Sequence, residues 1–248
     1  MEKMLQSFRE PNTLDIRGRI ENVNKRSYRN ALKFGWLGLC RVSEIVGKQC
    51  LSDKGTTARG PTGGSVGATV YEKNGEECEV AIFTVNTSKR GGLPRSVACP
   101  LDPVREPWAG ELCDYFKEFS SGQYVFNFTR QKLWQVAREA FAGFKYPIEE
   151  YQRVLSEREL RDGMQIIMEK EDGQFIVKTE KHHRVMGTHA IRHLRAMDLL
   201  NFYGFTVQEL SVIGGWTLRS MTGASSSISR YVHLDWQSYF PKLLRERY

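Results

Sequence analysis

Apolar and polar positions change period several times along the 248-residue chain, and each change predicts an element. From Ser27 to Val46, SYRNALKFGWLGLCRVSEIV, apolar residues recur at helical spacing, with Gly35 and Gly38 marking a corner between two helices. Residues 1–26 are polar and Pro11 is expected to break any early helix, so they read as a leader segment. Residues 52–66, rich in Gly, Ser and Thr, read as a loop. The period then drops to two. GATVYEK (67–73) runs into Asn74-Gly75, a strong hairpin dipeptide, and ECEVAIFTV (77–85) alternates apolar with polar. After the basic turn SKRGGLP comes RSVAC (95–99), which completes a predicted three-stranded antiparallel sheet.

Helical spacing returns over Pro107 to about Phe119 and over Arg130–Phe144, and residues 147–162 read as an exposed helix. MQIIMEK and QFIVKTE flank Glu171-Asp172-Gly173 and predict a second hairpin, a possible insertion over 164–180. THAIRHLRAMDLLNFYG reads as a helix with Gly204 as its C-cap. Thr206 and Glu209 then form a capping-box pattern ahead of a further helix. The fold class expected is α+β, mainly helical with a small three-stranded antiparallel sheet.

Composition adds bounds. Hydrophobic residues are 40% and charged residues 26%, ordinary for a globular protein, and the net charge of +7 favours a polyanionic partner. The five cysteines, Cys40, Cys50, Cys78, Cys99 and Cys113, are odd in number and lack C-x-x-C spacing. That argues against a disulfide framework and a zinc site, and for reduced, buried thiols. No apolar run is long enough to cross a bilayer, and the polar N-terminus lacks the apolar stretch of a signal peptide. The expectation is a cytoplasmic protein, or a nuclear one in a eukaryote, with no membrane partner.

The chemistry is concentrated in three segments. In HAIRHLRAMDLL, His189 and Arg192 are three apart on a helix, a spacing that can present an imidazole and a guanidinium to one phosphate. Alone, such a pair is usually a solvated helix face. Downstream, however, come LSVIGGW and SRYVHL. In this order the segments resemble the second conserved box of the tyrosine recombinases, the phage integrase family. His189, Arg192 and His193 match its opening. Trp216 stands where most members have histidine and some have tryptophan, and Tyr231 sits in the closing phrase. GLCRVSEIV resembles the first box, with Arg41 on the first catalytic arginine and Glu44 on its acidic companion. Between the boxes, TSKRGGLPRSVACP resembles the hairpin that carries the family's lysine. Lys89 is the natural match, Lys73 a weaker one, and Arg90 and Arg95 are neighbouring cations read as DNA-binding. The likeness extends from about residue 28 to about residue 240.

The resemblance implies a site-specific recombinase. Arg41 and Arg192 would bind the non-bridging oxygens of the scissile phosphate, with Glu44 fixing Arg41 and His193 in support. Tyr231 would attack phosphorus and form a 3′-phosphotyrosyl bond. Lys89 would protonate the departing 5′ oxygen, and His189 would take or return the tyrosine proton. Trp216 would donate a hydrogen bond and pack the site closed. No metal or cofactor is implied. The implied partner is double-stranded DNA, bound as a tetramer by a protein that is monomeric when free.

Some features depart from the family. The stretch before His189 is long, and so is the TGASSSIS run between Trp216 and Tyr231. Tyr239 and Tyr248 lie near, outside the family phrase, and Tyr203 reads as packing. About forty residues precede Arg41, so the expected organisation is one catalytic domain, 1–248, without the helical domain that usually completes the DNA clamp. The amphipathic tail WQSYFPKLLRERY is expected either on its own domain or on a neighbouring subunit. Two other functions fit the same residues: a type IB topoisomerase-like enzyme, and a DNA-binding module of this fold without strand cleavage.

Overall fold

Asn12 opens the first helix. Its side chain accepts from the Asp15 backbone N–H while Asp15 accepts in return, closing a capping box on α1, Thr13–Glu21. The expected leader therefore contains a helix. Ile16 and Ile20, one turn apart, are fully buried, and Arg17 forms a bidentate buried pair with Glu106 at 2.6 and 3.2 Å. The computed structural model describes residues 12–47, 60–73, 75–86, 94–147, 153–154, 168–171, 174–177, 183–216 and 235–245.

The chain divides into two compact units: Asn12–Ala142 with Gly187–Tyr248, and Met1–Pro11 with Gly143–Met186. In the larger unit α1 is followed by α2, Arg26–Leu37, and the single turn α3, Val42–Ile45. Gly35 lies within α2 and not at the corner. A Cβ there would meet Ile45 Cδ1 at 2.8 Å, so this glycine permits the close approach of α3. The corner itself runs from Gly38 to Arg41 and includes Leu39, a buried residue at φ 48°.

The predicted sheet forms as β1, Val66–Lys73, β2, Glu76–Val85, and β3, Arg95–Pro100, in the order β1-β2-β3, all antiparallel. Lys73 pairs with Glu76, which leaves Asn74-Gly75 as the two-residue connection. Helices α4, Pro107–Lys117, and α5, Arg130–Ala140, follow. Phe34 of α2 packs with Phe83 of β2, Phe116 of α4 and Phe126, with ring centroids 5.5–6.0 Å apart, and these rings form the centre of the core. The unit closes with α6, Thr188–Asn201, α7, Val207–Gly214, and α8, Trp236–Leu243. Helix α6 is capped by Phe202 and not by the expected Gly204, while the Thr206–Glu209 capping box starts α7 as expected.

Helix α8 seals the free edge of β3. The Tyr239 hydroxyl accepts from Ala98 N at 3.1 Å and donates to Ser96 O at 3.3 Å, while Trp236 and Phe240 of the same helix pack with Tyr71 of β1 in edge-on and tilted contacts. An edge strand carries unpaired backbone groups, and Tyr239 pairs two of them. The C-terminal tail thus packs on its own unit through residue 245.

In the smaller unit β4, Lys145–Pro147, pairs with β8, His183–Val185, and a second sheet has the order β5-β7-β6. Its strands are β5, Arg153–Val154, β6, Met168–Glu171, and β7, Gln174–Val177. The second hairpin forms where expected, with Glu171 opposite Gln174. The helix expected over 147–162 is instead a strand at 153–154, and its other residues after Pro147 lie outside the described set. Among the described residues the chain has eight α-helices, none long and apolar enough to cross a membrane.

Candidate active site

Glu44 organises the site. It is fully buried, the third residue of α3, and its oxygens are divided among three arginines. Oε1 accepts from Arg41 Nη1 at 3.0 Å. Oε2 accepts from Arg41 N at 2.9 Å and from Arg95 Nη2 at 3.1 Å, and it lies 3.7 Å from Arg192 Nη1. Three guanidinium groups around one carboxylate leave an excess of two positive charges among the described residues, the balance expected of a site for an anion.

Two of these arginines also act as helix caps. The last carbonyls of an α-helix lack intrahelical partners and carry partial negative charge. At the end of α2, Gly38 O accepts from Arg95 Nη2 at 2.9 Å and Leu39 O accepts from Arg192 Nη1. At the end of α7, Ile213 O accepts from Arg95 Nε at 2.8 Å and Gly214 O accepts from Arg192 Nη2 at 2.6 Å. Each planar fork therefore ties the same two corners together, which a lysine point charge could not do.

Glycines make this possible. Gly215 takes φ 61° as the C-cap of α7, and a Cβ there would lie 3.2 Å from Arg95 Cδ and Nη1. A Cβ on Gly214 would sit 2.2 Å from two ring atoms of Trp216. With no Cβ at Gly214, the Trp216 ring folds over Arg192, with its centroid 4.1 Å from the guanidinium carbon.

The surroundings shift two ionisable groups. Burial, helped by the charges of Arg41 and Arg95 and opposed by Glu44, pulls the Arg192 guanidinium down to about 10. Burial pushes the Cys40 thiol up to about 12, against the attraction of Arg95.

Arg41, Glu44, Arg192 and Trp216, named from separated motifs, thus meet at one place. Arg41 remains a quarter exposed and Arg192 is 2% exposed. Helix α6 buries Ala190, Ile191, Arg192 and Arg195 and leaves His189 and His193 exposed, so the face expected to be shared by His189 and Arg192 is divided. Arg95 departs furthest from expectation. Read as a DNA-contacting cation, it is 8% exposed, and its donors are directed to carbonyls and to Glu44. The period of β3 carried the signal: Arg95, Val97 and Cys99 alternate onto one face, and all three are buried. Lys89, Arg90 and Tyr231 lie outside the described residues, and so does the side chain of Lys73.

Tyr239, the other tyrosine near the closing phrase, is fully buried with its hydroxyl bonded to β3, and burial raises its pKa above the ordinary tyrosine value. Tyr203 is also buried, as the packing residue expected.

No model of a known protein family, no curated protein and no solved structure matches the chain.

Proposed function

We propose that this chain is a DNA strand transferase of the tyrosine recombinase type, acting through a 3′-phosphotyrosyl intermediate. One observation carries the proposal. Arg41 and Arg192, named from two distant boxes, share one buried carboxylate with Arg95 and leave excess positive charge there. Fixed cations aimed at a phosphodiester stabilise charge on its non-bridging oxygens without reorganisation during the reaction. The net charge of +7 agrees with a polyanionic substrate.

In the reaction proposed, the Tyr231 oxygen bonds to phosphorus as the bond to the 5′ oxygen breaks. His189 accepts the tyrosine proton and Lys89 supplies one to the departing 5′ oxygen. The new phosphodiester preserves the bond energy, so rejoining by a 5′ hydroxyl needs no other energy source. Arg41 and Arg192 hold the phosphate, and Trp216 restrains Arg192 from above. A tetramer on DNA belongs to the same proposal.

The test uses a library of duplexes of randomised sequence, each with one nick, so that a cleaved fragment is lost and the adduct persists. Wild-type protein is expected to give a slow-migrating protein–DNA band on a denaturing gel, and Tyr231→Phe is expected to give none.

A second reading, a DNA-binding module without strand cleavage, has one observation in its favour: Arg192 directs both terminal nitrogens to backbone carbonyls. It predicts DNA retention with no adduct from any nicked duplex.

A further inference from the structure

We infer that Arg95 is a positioning residue of this cluster, holding Arg41 in register through Glu44. Its placement as a phosphate-site residue rests on the function proposed above, whereas the coupling from Arg95 to Arg41 stands on geometry alone.

Arg95 is the first residue of β3 and so is fixed by the sheet. Its Nε holds Ile213 O, and its Nη2 holds both Gly38 O and Glu44 Oε2. One rigid group thereby sets the spacing of the α2 corner, the α7 corner and the carboxylate. Glu44 Oε2 is the oxygen Arg95 shares with the Arg41 backbone N–H, and Oε1 is the oxygen that holds Arg41 Nη1. Without Arg95, Oε2 keeps the Arg41 backbone N–H and faces Arg192 Nη1, 3.7 Å away. Rotation of the carboxylate toward Arg192 withdraws Oε1 from Arg41, the most exposed of the three arginines. Arg95 Nε and Nη2 are committed to Ile213 O, Gly38 O and Glu44 Oε2. Its Nη1 is enclosed and has no partner among the described residues, and any side chain at Gly215 would press on it. Its role is therefore exerted through Glu44.

Arg95→Lys keeps the charge and loses the fork. In 15N-labelled protein, the Arg41 Nε–Hε signal, assigned with Arg41→Lys, is expected to shift in Arg95→Lys and to exchange with water several-fold faster. A clamp that only braced the sheet would leave that signal unmoved. In the adduct assay, the rate at saturating DNA is expected to fall about 10–100-fold, the size typical of residues that orient a ligand group, with DNA affinity within about two-fold of wild type. Combined with Glu44→Gln, Arg95→Lys is expected to add no further loss, because both act on the same link. Arg95→Gln, which keeps an amide donor for Gly38 O, replaces the lysine variant if that protein fails to fold. An unmoved Arg41 signal in a folded variant overturns the inference, and so do effects of Arg95→Lys and Glu44→Gln that multiply. If wild-type protein forms no adduct, the proposed function fails, while the Arg41 signal still decides the coupling.

Discussion

The guanidinium carbon of Arg192 lies 4.1 Å from the centroid of the Trp216 ring, beside Gly214, whose missing Cβ leaves the indole room. A desolvated cation–π contact contributes about 2 kcal/mol. Trp216→Ala is therefore expected to lower stability by about 1–2 kcal/mol in urea unfolding. Gly214→Ala should cause a similar loss by expelling the ring, and the double variant should be little worse than either alone. Additive losses would show that the ring and the glycine act separately.

Glu44 is the sole carboxylate shared by three arginines among the described residues, and it has no exposure. Removing one partner of a buried ionic cluster strands the others, at about 3–5 kcal/mol. Glu44→Gln should lose that much in urea unfolding. A change below about 1 kcal/mol would mean that the arginines are held mainly by the backbone carbonyls.

Tyr239→Phe separates structure from chemistry. Deleting the hydroxyl leaves Ala98 N and Ser96 O unpaired at the sheet edge, a loss of about 1–3 kcal/mol. DNA adduct formation by the folded variant should persist. An adduct abolished in folded Tyr239→Phe protein would move the nucleophile to this residue.

Cys40 gives a pH signature. Its thiol rises from 9.0 to about 12 on folding, so the folded state holds a proton that the unfolded state releases. Stability should therefore fall as pH rises above 9, by up to about 1.4 kcal/mol per unit for this one group. Arg192, lowered on folding from 12.5 to about 10, acts oppositely, and its contribution grows only as pH rises from 10 toward 12.5. Between pH 9 and 10 the thiols of Cys99, Cys113 and Cys78, also raised by burial, act in the same sense, so the share of Cys40 is read as the difference between wild type and Cys40→Ala. Cys40→Ala should flatten the slope of unfolding free energy there, and an unchanged slope would assign it to other groups.

Much of this architecture was readable from local pattern. Asn74-Gly75 between alternating segments specified the β1–β2 pairing, and Thr206 with Glu209 marked the start of α7. What escaped was set by tertiary contacts. Helix α1 has nine residues and its apolar signal is little more than Ile16 and Ile20. It is held by the Arg17–Glu106 pair and by Thr13 Oγ1 donating to Asp198, partners distant in sequence. Arg95 resembles a surface cation until its alternation with Val97 and Cys99 is noticed. Leu39 at φ 48° has no sequence signature, since a non-glycine residue enters that region only where packing compels it. The motif spacing brought Arg41, Glu44, Arg192 and Trp216 into view, but the double helix-capping role of the arginines depends on where two helices end.

The most direct test of strand transfer is to identify the residue that carries DNA. The adduct formed on nicked duplexes would be trimmed with nuclease and digested with trypsin, giving a peptide of residues 231–242 that contains both Tyr231 and Tyr239. Fragmentation in the mass spectrometer distinguishes them. A nucleotide linked through its 3′ phosphate to Tyr231 is the predicted result. DNA retained with no covalent residue, or a nucleotide found on any other side chain, would contradict it.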